Sequence, residues 1–306
     1  LHEHLGRCIR VVATWGKNQP TLLIMGATDQ NRTLILCGGL QGSGSSLISW
    51  CFLQRQDMDG VFDTAHDMVP SIASSPETHY TWCKITTCCF STKELTEYFR
   101  GLGWNVRPLL VLRDVREVWA SLRVKQYGRN GTTAEDPPLR LRLQRFLADW
   151  NHAFYEGWAT IQYERLIHQP RETLEQACTD LELPWDEGMI DWTKEHTDIS
   201  DPRYGNVNFL QSRQGGLLET INPVNSGNIK GTIAPQDLEW LETTFHDFNE
   251  SLGYPTHRDV TASDTSIDIA SFAATRRSEW KQQRVSNEKT MVNIFPQSLM
   301  QRFGLR

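Results

Sequence analysis

A glycine-rich segment between an apolar run and a predicted helix constrains this chain more than any other feature. Residues 33–37 form a short apolar run, typical of a buried parallel strand, which stops at Gly38 and Gly39. Glycines and serines fill the next positions, and residues 47–53 are predicted to be helical. A strand, a glycine-rich turn and a helix start direct several backbone N–H groups and the positive end of the helix dipole to one place. The segment therefore predicts a site for an anion.

Strands and helices alternate through most of the chain. Ser91 and Glu94 are placed as in a capping box at the start of one predicted helix. Besides 33–37, the predicted strands are 80–86, 109–112 and 160–163, and the further predicted helices are 93–102, 115–126, 139–158, 171–181 and 235–252. Strands that alternate with helices predict a parallel sheet covered on both faces. The expected fold class is therefore α/β, with three layers and a central parallel sheet flanked by helices.

The extent of this alternation sets the expected domain limits. Residues 33–255 are predicted to form one domain, which follows an N-terminal segment, 1–32, and precedes a C-terminal appendage or tail, 256–306. The first residue is Leu1 rather than methionine, so segment 1–32 is compatible with the remnant of a longer chain.

Composition argues against several classes of protein. The chain has 306 residues, of which 39% are hydrophobic, and this is enough to bury a sizeable core. Its net charge of -6 argues against an extended nucleic-acid-binding surface. No apolar run approaches about 20 residues, the length of a membrane-spanning helix. The seven cysteines show no zinc-ligand spacing, so we expect reduced thiols, a cytoplasmic protein and no metal site.

Two classes of phosphate loop compete for the glycine-rich segment. Gly39 and Gly44 have the spacing of the Walker A loop of nucleoside-triphosphate enzymes. Such a loop needs a lysine after its second glycine, to contact the β- and γ-phosphates, and Ser45 occupies that position. The absence of this lysine argues against a kinase or an ATPase.

The residues from Gly42 to Ser46 resemble the 5′-phosphosulfate loop of sulfotransferases that use 3′-phosphoadenosine 5′-phosphosulfate (PAPS). That loop usually follows a strand and reads Arg or Lys, Ser, Gly, Thr, Thr. Ser43, Gly44, Ser45 and Ser46 match it conservatively, whereas Gly42 takes the place of the basic residue. The resemblance implies that these residues bind the donor without the usual cationic side chain.

A second signature follows the predicted strand 109–112. Arg113 stands at the end of that strand, and Ser121 comes eight residues later, inside the next helix. The pair resembles the family's 3′-phosphate motif, although Val115 and Glu117 replace its common Pro and Asp. Ligands of open α/β sheets bind at the carboxyl ends of the strands, and a forked guanidinium suits a phosphate dianion. The resemblance therefore implies that Arg113 and Ser121 bind the 3′-phosphate.

The resemblance covers about residues 33–255 and implies a P-loop-like fold, a PAPS donor and no catalytic metal. The implied activity is transfer of a sulfuryl group from this small-molecule donor to a hydroxyl or amine of an acceptor. Lys230 and Gly231 resemble the family's C-terminal basic loop, which closes over the nucleotide, and a plain glycine turn is an equal alternative. The eleven tryptophans are compatible with a glycan acceptor and equally with a packed core.

Three side chains are candidates for the acceptor side of the reaction. His66 has a side chain that titrates near neutral pH and suits a general base, and Asp67 could orient it or act as the base itself. Lys84 lies in the predicted strand 80–86 and could supply the positive charge that Gly42 lacks. A solvated loop histidine and a lysine with its head in water are the competing interpretations.

Two other functions remain open at this point. The missing basic side chain at Gly42 favours a nucleotide-binding module without catalysis, and the glycine spacing favours a kinase-like phosphotransferase. Magnesium dependence would indicate the kinase, and PAPS binding without turnover would indicate the module. The sequence does not define the acceptor or the oligomeric state.

Overall fold

A parallel sheet of five strands forms the centre of the fold. The computed structural model describes residues 33–64, 78–88, 90–124, 139–195, 198–199, 215–221 and 233–255. The strands are β1 (Thr33–Gly39), β2 (Met58–Thr64), β3 (Tyr80–Ile85), β4 (Asn105–Leu112) and β5 (Ala159–Gln162). They lie in the order β2-β3-β1-β4-β5, and all neighbours are parallel. The strand that leads into the glycine-rich loop is therefore central.

Helices connect the strands and extend beyond them. They are α1 (Ser45–Leu53), α2 (Thr92–Gly101), α3 (Val115–Val124), α4 (Leu139–Glu156), α5 (Tyr163–His168), α6 (Pro170–Asp180), α7 (Gly188–Asp191), α8 (Leu217–Thr220), α9 (Pro235–Thr244) and α10 (His246–Ser251). The capping box predicted for α2 is confirmed. The Ser91 hydroxyl accepts from the Glu94 N–H at 3.1 Å, and the Ser91 N–H donates to the Glu94 carboxylate at 2.9 Å.

The side chains of β1 point alternately to the two faces of the sheet, and each face is covered by its own layer of helices. Ile35 and Cys37 belong to a buried cluster that includes residues of α1, α6 and α7. Leu34 and Leu36 point to the other face, where a second cluster includes residues of α2. The remaining helices α3, α4, α9 and α10 join a third cluster around Leu110 of β4. The predicted three-layer α/β fold with a central parallel sheet is thus confirmed.

The edge strand β2 was not predicted from the sequence. Asp59 and Gly60 interrupt its apolar residues, so neither alternation nor a continuous apolar run is visible. Gly60 is nevertheless required, because a Cβ at this position would lie 2.0 Å from the carbonyl oxygen of Trp82 on β3. The close approach of two backbones, rather than a side-chain pattern, fixes this part of the sheet.

Strand β4 and the last predicted helix differ most from the prediction. Strand β4 begins four residues earlier than predicted and includes Pro108, at a position that β5 does not reach. Proline is tolerated there because the strand has a free edge. The predicted helix 235–252 is wrong at Phe245, where the backbone leaves the helical conformation and separates α9 from α10. The ring of Phe245 is fully buried against Phe248, with ring centres 5.9 Å apart, so packing overrides helix continuation.

No disulfide links the cysteines that the structure describes, and all of them are buried. They are Cys37, Cys51, Cys83, Cys88 and Cys178. No helix in the described ranges combines the length and the apolar character needed to cross a bilayer. The predicted terminal segments 1–32 and 256–306 lie outside the described residues.

Candidate functional site

The glycine-rich loop makes a tight turn directly before α1. Gly42 and Gly44 both have left-handed backbone conformations, with φ of 83° and 89°. Such angles favour glycine, because it has no Cβ. The Ser43 N–H donates to the Leu40 carbonyl at 3.1 Å, which closes the turn, and α1 begins at Ser45. The loop and the first turn of the helix therefore present their backbone to the same space.

Gly44 is the N-cap residue of α1 and packs against an aromatic ring. A Cβ at Gly44 would lie 2.2 Å from the ring of Tyr163, so a larger residue does not fit here. Because the cap is a glycine, no side chain caps the first N–H groups of α1. The N–H groups of a first helical turn have no partner within the helix, so they are available to an anion.

The second sequence motif lies against this loop. Arg113 Nη1 donates to the carbonyl oxygen of Gly42 at 2.7 Å. A Cβ on Gly42 would lie 3.2 Å from Ser121 Oγ on α3, so this serine also faces the loop. The structure thus brings together two motifs that are 71 residues apart in the sequence.

Arg113 is held from two further sides. Its Nε and Nη2 donate to Glu117 Oε2 at 3.1 and 2.7 Å, and its guanidinium lies 4.4 Å from the centre of the Tyr163 ring. A guanidinium has five N–H donors. Two of them bond to Glu117 and one bonds to the Gly42 carbonyl. The other two make no bond to the residues that the structure describes and can bind a ligand. Glu117 therefore fixes the plane of Arg113 beside the loop.

A buried polar network supports the start of α3 behind Arg113. The N–H of Asp114 donates to one oxygen of Glu164 at 3.1 Å, and the Tyr254 hydroxyl donates to the other at 2.7 Å. Burial raises the pKa of the Glu164 carboxyl despite both hydrogen bonds. The side chain of Arg116 donates to both oxygens of Asp114, and its Nη1 lies 3.8 Å from Glu242 of α9. The site residue Arg113 is thus anchored through α3, α5 and α9.

Lys84 lies at the carboxyl end of β3 and forms a buried ion pair. Its Nζ donates to Asp63 Oδ1 at 2.8 Å, and the two side chains are 5% and 6% exposed. Trp82, two residues earlier on the same face of β3, donates from Nε1 to Ser49 Oγ of α1 at 3.1 Å. Lys84 is therefore placed one step nearer to the first turn of α1 than Trp82 is. This location is compatible with the predicted role of Lys84 as a source of positive charge, but its ammonium group forms an ion pair with Asp63.

Four predicted site residues lie outside the described part of the chain. They are His66 and Asp67, the candidate base and its partner, and Lys230 and Gly231, the candidate closing loop. Their roles stay predictions. Among the residues that the structure does describe, no group of three His, Cys, Asp or Glu side chains is placed to hold a metal ion.

A row of buried charged side chains on α4 was missed in the sequence. Arg142 Nη1 donates to Gln41 Oε1 of the loop, and Arg145 Nη1 donates to the carbonyl of Cys88 at 2.7 Å. Asp149 accepts from the Thr92 N–H at 2.8 Å, and burial raises its pKa to about 6. The signal was the spacing of three and four residues between these charges, which places them on one face of a helix, in line with the buried Phe146.

Comparisons with known proteins yield matches of structure alone. No family model and no curated protein matches the sequence. The sulfotransferase domain from the Synechococcus PCC 7002 olefin synthase matches with a TM-score of 0.49 and 14% identity, over 74% of this chain and 96% of that domain. The sulfotransferase domain from the curacin biosynthetic pathway matches with a TM-score of 0.47 and 15% identity, over 73% and 98%. These similarities concern the fold and do not extend to a donor or an acceptor.

The fold and the site together define a class of protein. The chain is a three-layer α/β protein whose central strand leads into a glycine-rich loop, with an arginine and a serine placed against it.

Proposed function

We propose that the protein is a PAPS-dependent sulfotransferase that transfers a sulfuryl group to an acceptor hydroxyl or amine. The observation that carries this proposal is the hydrogen bond from Arg113 to the Gly42 carbonyl, with Ser121 on the other side of Gly42. A donor with phosphate groups at both the 3′ and the 5′ position needs two adjacent anion sites. The loop supplies one, and the paired arginine and serine supply the other.

Each residue then has a distinct role in binding PAPS. The backbone N–H groups of residues 42 and 44–46 and the hydroxyls of Ser45 and Ser46 hold the 5′-phosphosulfate. Arg113 and Ser121 hold the 3′-phosphate through a charge-assisted pair of donors. Lys230 and Gly231 close over the nucleotide.

The chemistry exchanges one bond to sulfur for another. The acceptor oxygen or nitrogen forms a bond to the sulfur while the bond from sulfur to the bridging oxygen of the 5′-phosphate breaks. The proton of the acceptor passes to His66 or Asp67, and the leaving group is 3′,5′-diphosphoadenosine (PAP). Lys84 stabilises the negative charge that grows on the leaving oxygen. No metal takes part in this scheme.

The acceptor belongs to the same proposal. The donor is a small molecule, a glycan is one candidate for the acceptor, and no nucleic-acid partner is expected. A cytoplasmic location is proposed because the described cysteines are buried and form no disulfide.

A nucleotide-binding module without catalysis is the second candidate. Gly42 offers no side-chain cation, and the Lys84 ammonium is paired with the Asp63 carboxylate, so the charge available for catalysis is reduced. A kinase-like function is disfavoured, because Ser45 replaces the lysine that such a loop needs.

Transfer from PAPS carrying a sulfur label tests the proposal. The purified protein is incubated with the labelled donor and a panel of glycans, phenols, amines and lipids, with and without a chelator. Label in one acceptor class, with equal release of PAP and no loss in chelator, is the expected result. Turnover that depends on magnesium and on ATP would contradict the proposal, and donor binding without transfer across the panel would favour the module.

A further inference from the structure

Two buried hydrogen-bond donors flank Gly42 in the loop. Gln41 and Ser43 are 9% and 1% exposed. Gln41 Nε2 and Ser43 Oγ have no hydrogen-bond partner among the residues that the structure describes. A buried polar atom without a partner is costly, so such atoms commonly mark the place of a ligand or ordered water. Both groups can donate, which suits the oxygens of an anion.

A buried cation reaches the loop from α4. Arg142 is 1% exposed, and its Nη1 donates to Gln41 Oε1. An arginine is almost never fully buried in a protein unless its charge serves a partner, because removing it from water is expensive. The guanidinium stays protonated at all relevant pH values, so the charge beside Gln41 is permanent.

Arg142 and Lys84 approach the loop from opposite layers. Helix α4, which carries Arg142, packs with β4 and α3 on one side of the sheet. Lys84 shares its face of β3 with Trp82, which packs with α1 on the other side. Lys84 is paired with Asp63, and Arg142 bonds to the Gln41 amide of the loop itself.

We propose that Arg142 is the cation of the donor loop, supplied by another helix in place of the basic residue that Gly42 lacks. The inference rests on the proposed function for the identity of the donor. Arg142 and the amide of Gln41 bind oxygens of the 5′-phosphosulfate, and Ser43 adds a third donor. Arg142 lies in the layer of helices on the other side of the sheet from α1. Because this helix supplies the charge, the loop can keep glycine at position 42, where φ is 83°.

Calorimetric titration of the Arg142→Gln variant with two ligands tests this assignment. PAP reports the whole nucleotide site, and inorganic pyrophosphate reports the loop alone. Loss of one charged hydrogen-bond partner predicts affinities about 10- to 100-fold weaker for both ligands. Arg140→Gln is the matched control, because Arg140 lies on the same helix but is half exposed and bonds to Asp237. Its affinities should equal those of the wild type.

A relocated charge separates a binding role from a structural one. In the double variant Gln41→Lys with Arg142→Gln, the cation moves from α4 to the loop, and affinity for pyrophosphate should return to within about tenfold of wild type. This variant keeps one buried cation in the same space, so it tests the assignment even if Arg142→Gln alone fails to fold. A folded double variant without pyrophosphate binding would overturn the assignment.

The two ligands also separate this inference from the proposed function. Equal pyrophosphate affinity in wild type and Arg142→Gln would overturn the role of Arg142, even if PAP binds to both proteins. Pyrophosphate binding that depends on Arg142, in a protein that does not bind PAP, would support the loop cation and contradict the sulfotransferase proposal.

Discussion

At the scale of single residues, the site is defined by how positive charge is arranged around Gly42. Arg113 reaches its carbonyl from the end of β4, and Arg142 reaches its neighbour Gln41 from α4. Lys84 lies beneath the start of α1, paired with Asp63. Each cation is fixed by a named partner, so each can be removed with a defined consequence.

Replacing Arg113 with alanine should separate the two phosphates of the donor. Binding of PAPS should weaken by about 1.5–3 kcal/mol, because a hydrogen bond to a charged group is lost. Binding of adenosine 5′-phosphosulfate, which lacks the 3′-phosphate, should weaken much less. Titration calorimetry gives both affinities, and Arg107→Ala at the opposite end of β4 is the control. Equal losses for both ligands would remove Arg113 from the 3′-phosphate site.

Replacing Lys84 with methionine should destabilise the fold as well as affect catalysis. The change leaves the Asp63 carboxylate buried without its cation, which costs about 3–5 kcal/mol of unfolding free energy. The double variant Lys84→Met with Asp63→Asn should recover most of this loss, because no buried charge remains. Urea denaturation of the three proteins measures the effect. Equal stability of the single and double variants would show that the pair is not coupled.

The double variant also gives a clean measure of the role of Lys84 in turnover. If Lys84 stabilises the leaving oxygen, kcat should fall by about 10²–10³ while PAP affinity changes little. A folded double variant with the turnover of Asp63→Asn alone would exclude that role.

At the scale of elements, α4 connects the loop to the segment after β3. Its buried face contacts the loop through Arg142, the Cys88 carbonyl through Arg145 and the start of α2 through Asp149. Thr87, in the same segment, donates its N–H to the Gly39 carbonyl at 2.8 Å. The position of α4 therefore affects both the glycine-rich loop and the segment after β3.

Asp149 should make stability depend on pH in mildly acidic solution. Burial raises its pKa from 3.8 to about 6, so between these values the folded state holds a proton that the unfolded state has released. The free energy of unfolding should therefore fall as the pH rises through this range, by about 3 kcal/mol in total. Urea titrations of the wild type and Asp149→Asn from pH 4 to 7 check this. Because asparagine does not titrate, the stability of the wild type relative to Asp149→Asn should be highest at pH 4 and fall toward pH 7, and a constant relative stability would contradict the assignment.

The elements differ in how well the sequence predicts them. The capping box at Ser91 and the strand before Gly38 carry local signals, and both were predicted correctly. Strand β2 depends on the close approach of its backbone to β3, and the break at Phe245 depends on the burial of its ring, so no local pattern indicates them. The burial of the charged side chains of α4 was not predicted, because their partners lie far away in the sequence.

At the scale of the whole molecule, the order of strands explains why the motifs meet. Strand β1 lies between β3 and β4, and the carboxyl ends of parallel strands share one edge of the sheet. The residues that follow β1, β3 and β4 are therefore neighbours, although 71 residues separate Gly42 from Arg113. The sequence predicted this convergence through the fold class, but it did not indicate that Lys84 and Arg113 would pair with acidic side chains or that Arg142 would reach the loop.

The binding of PAP, compared with ATP and magnesium, tests the account most directly. A ligand that binds only the folded state stabilises it by about 2.7 kcal/mol at a concentration of 100 times Kd. If the loop and the Arg113–Ser121 pair bind the two phosphates of PAP, this nucleotide should raise Tm clearly, whereas adenosine 5′-phosphate and ATP with magnesium should raise it much less. Equal shifts from PAP and from ATP with magnesium, or no shift from PAP, would contradict the proposed sulfotransferase site.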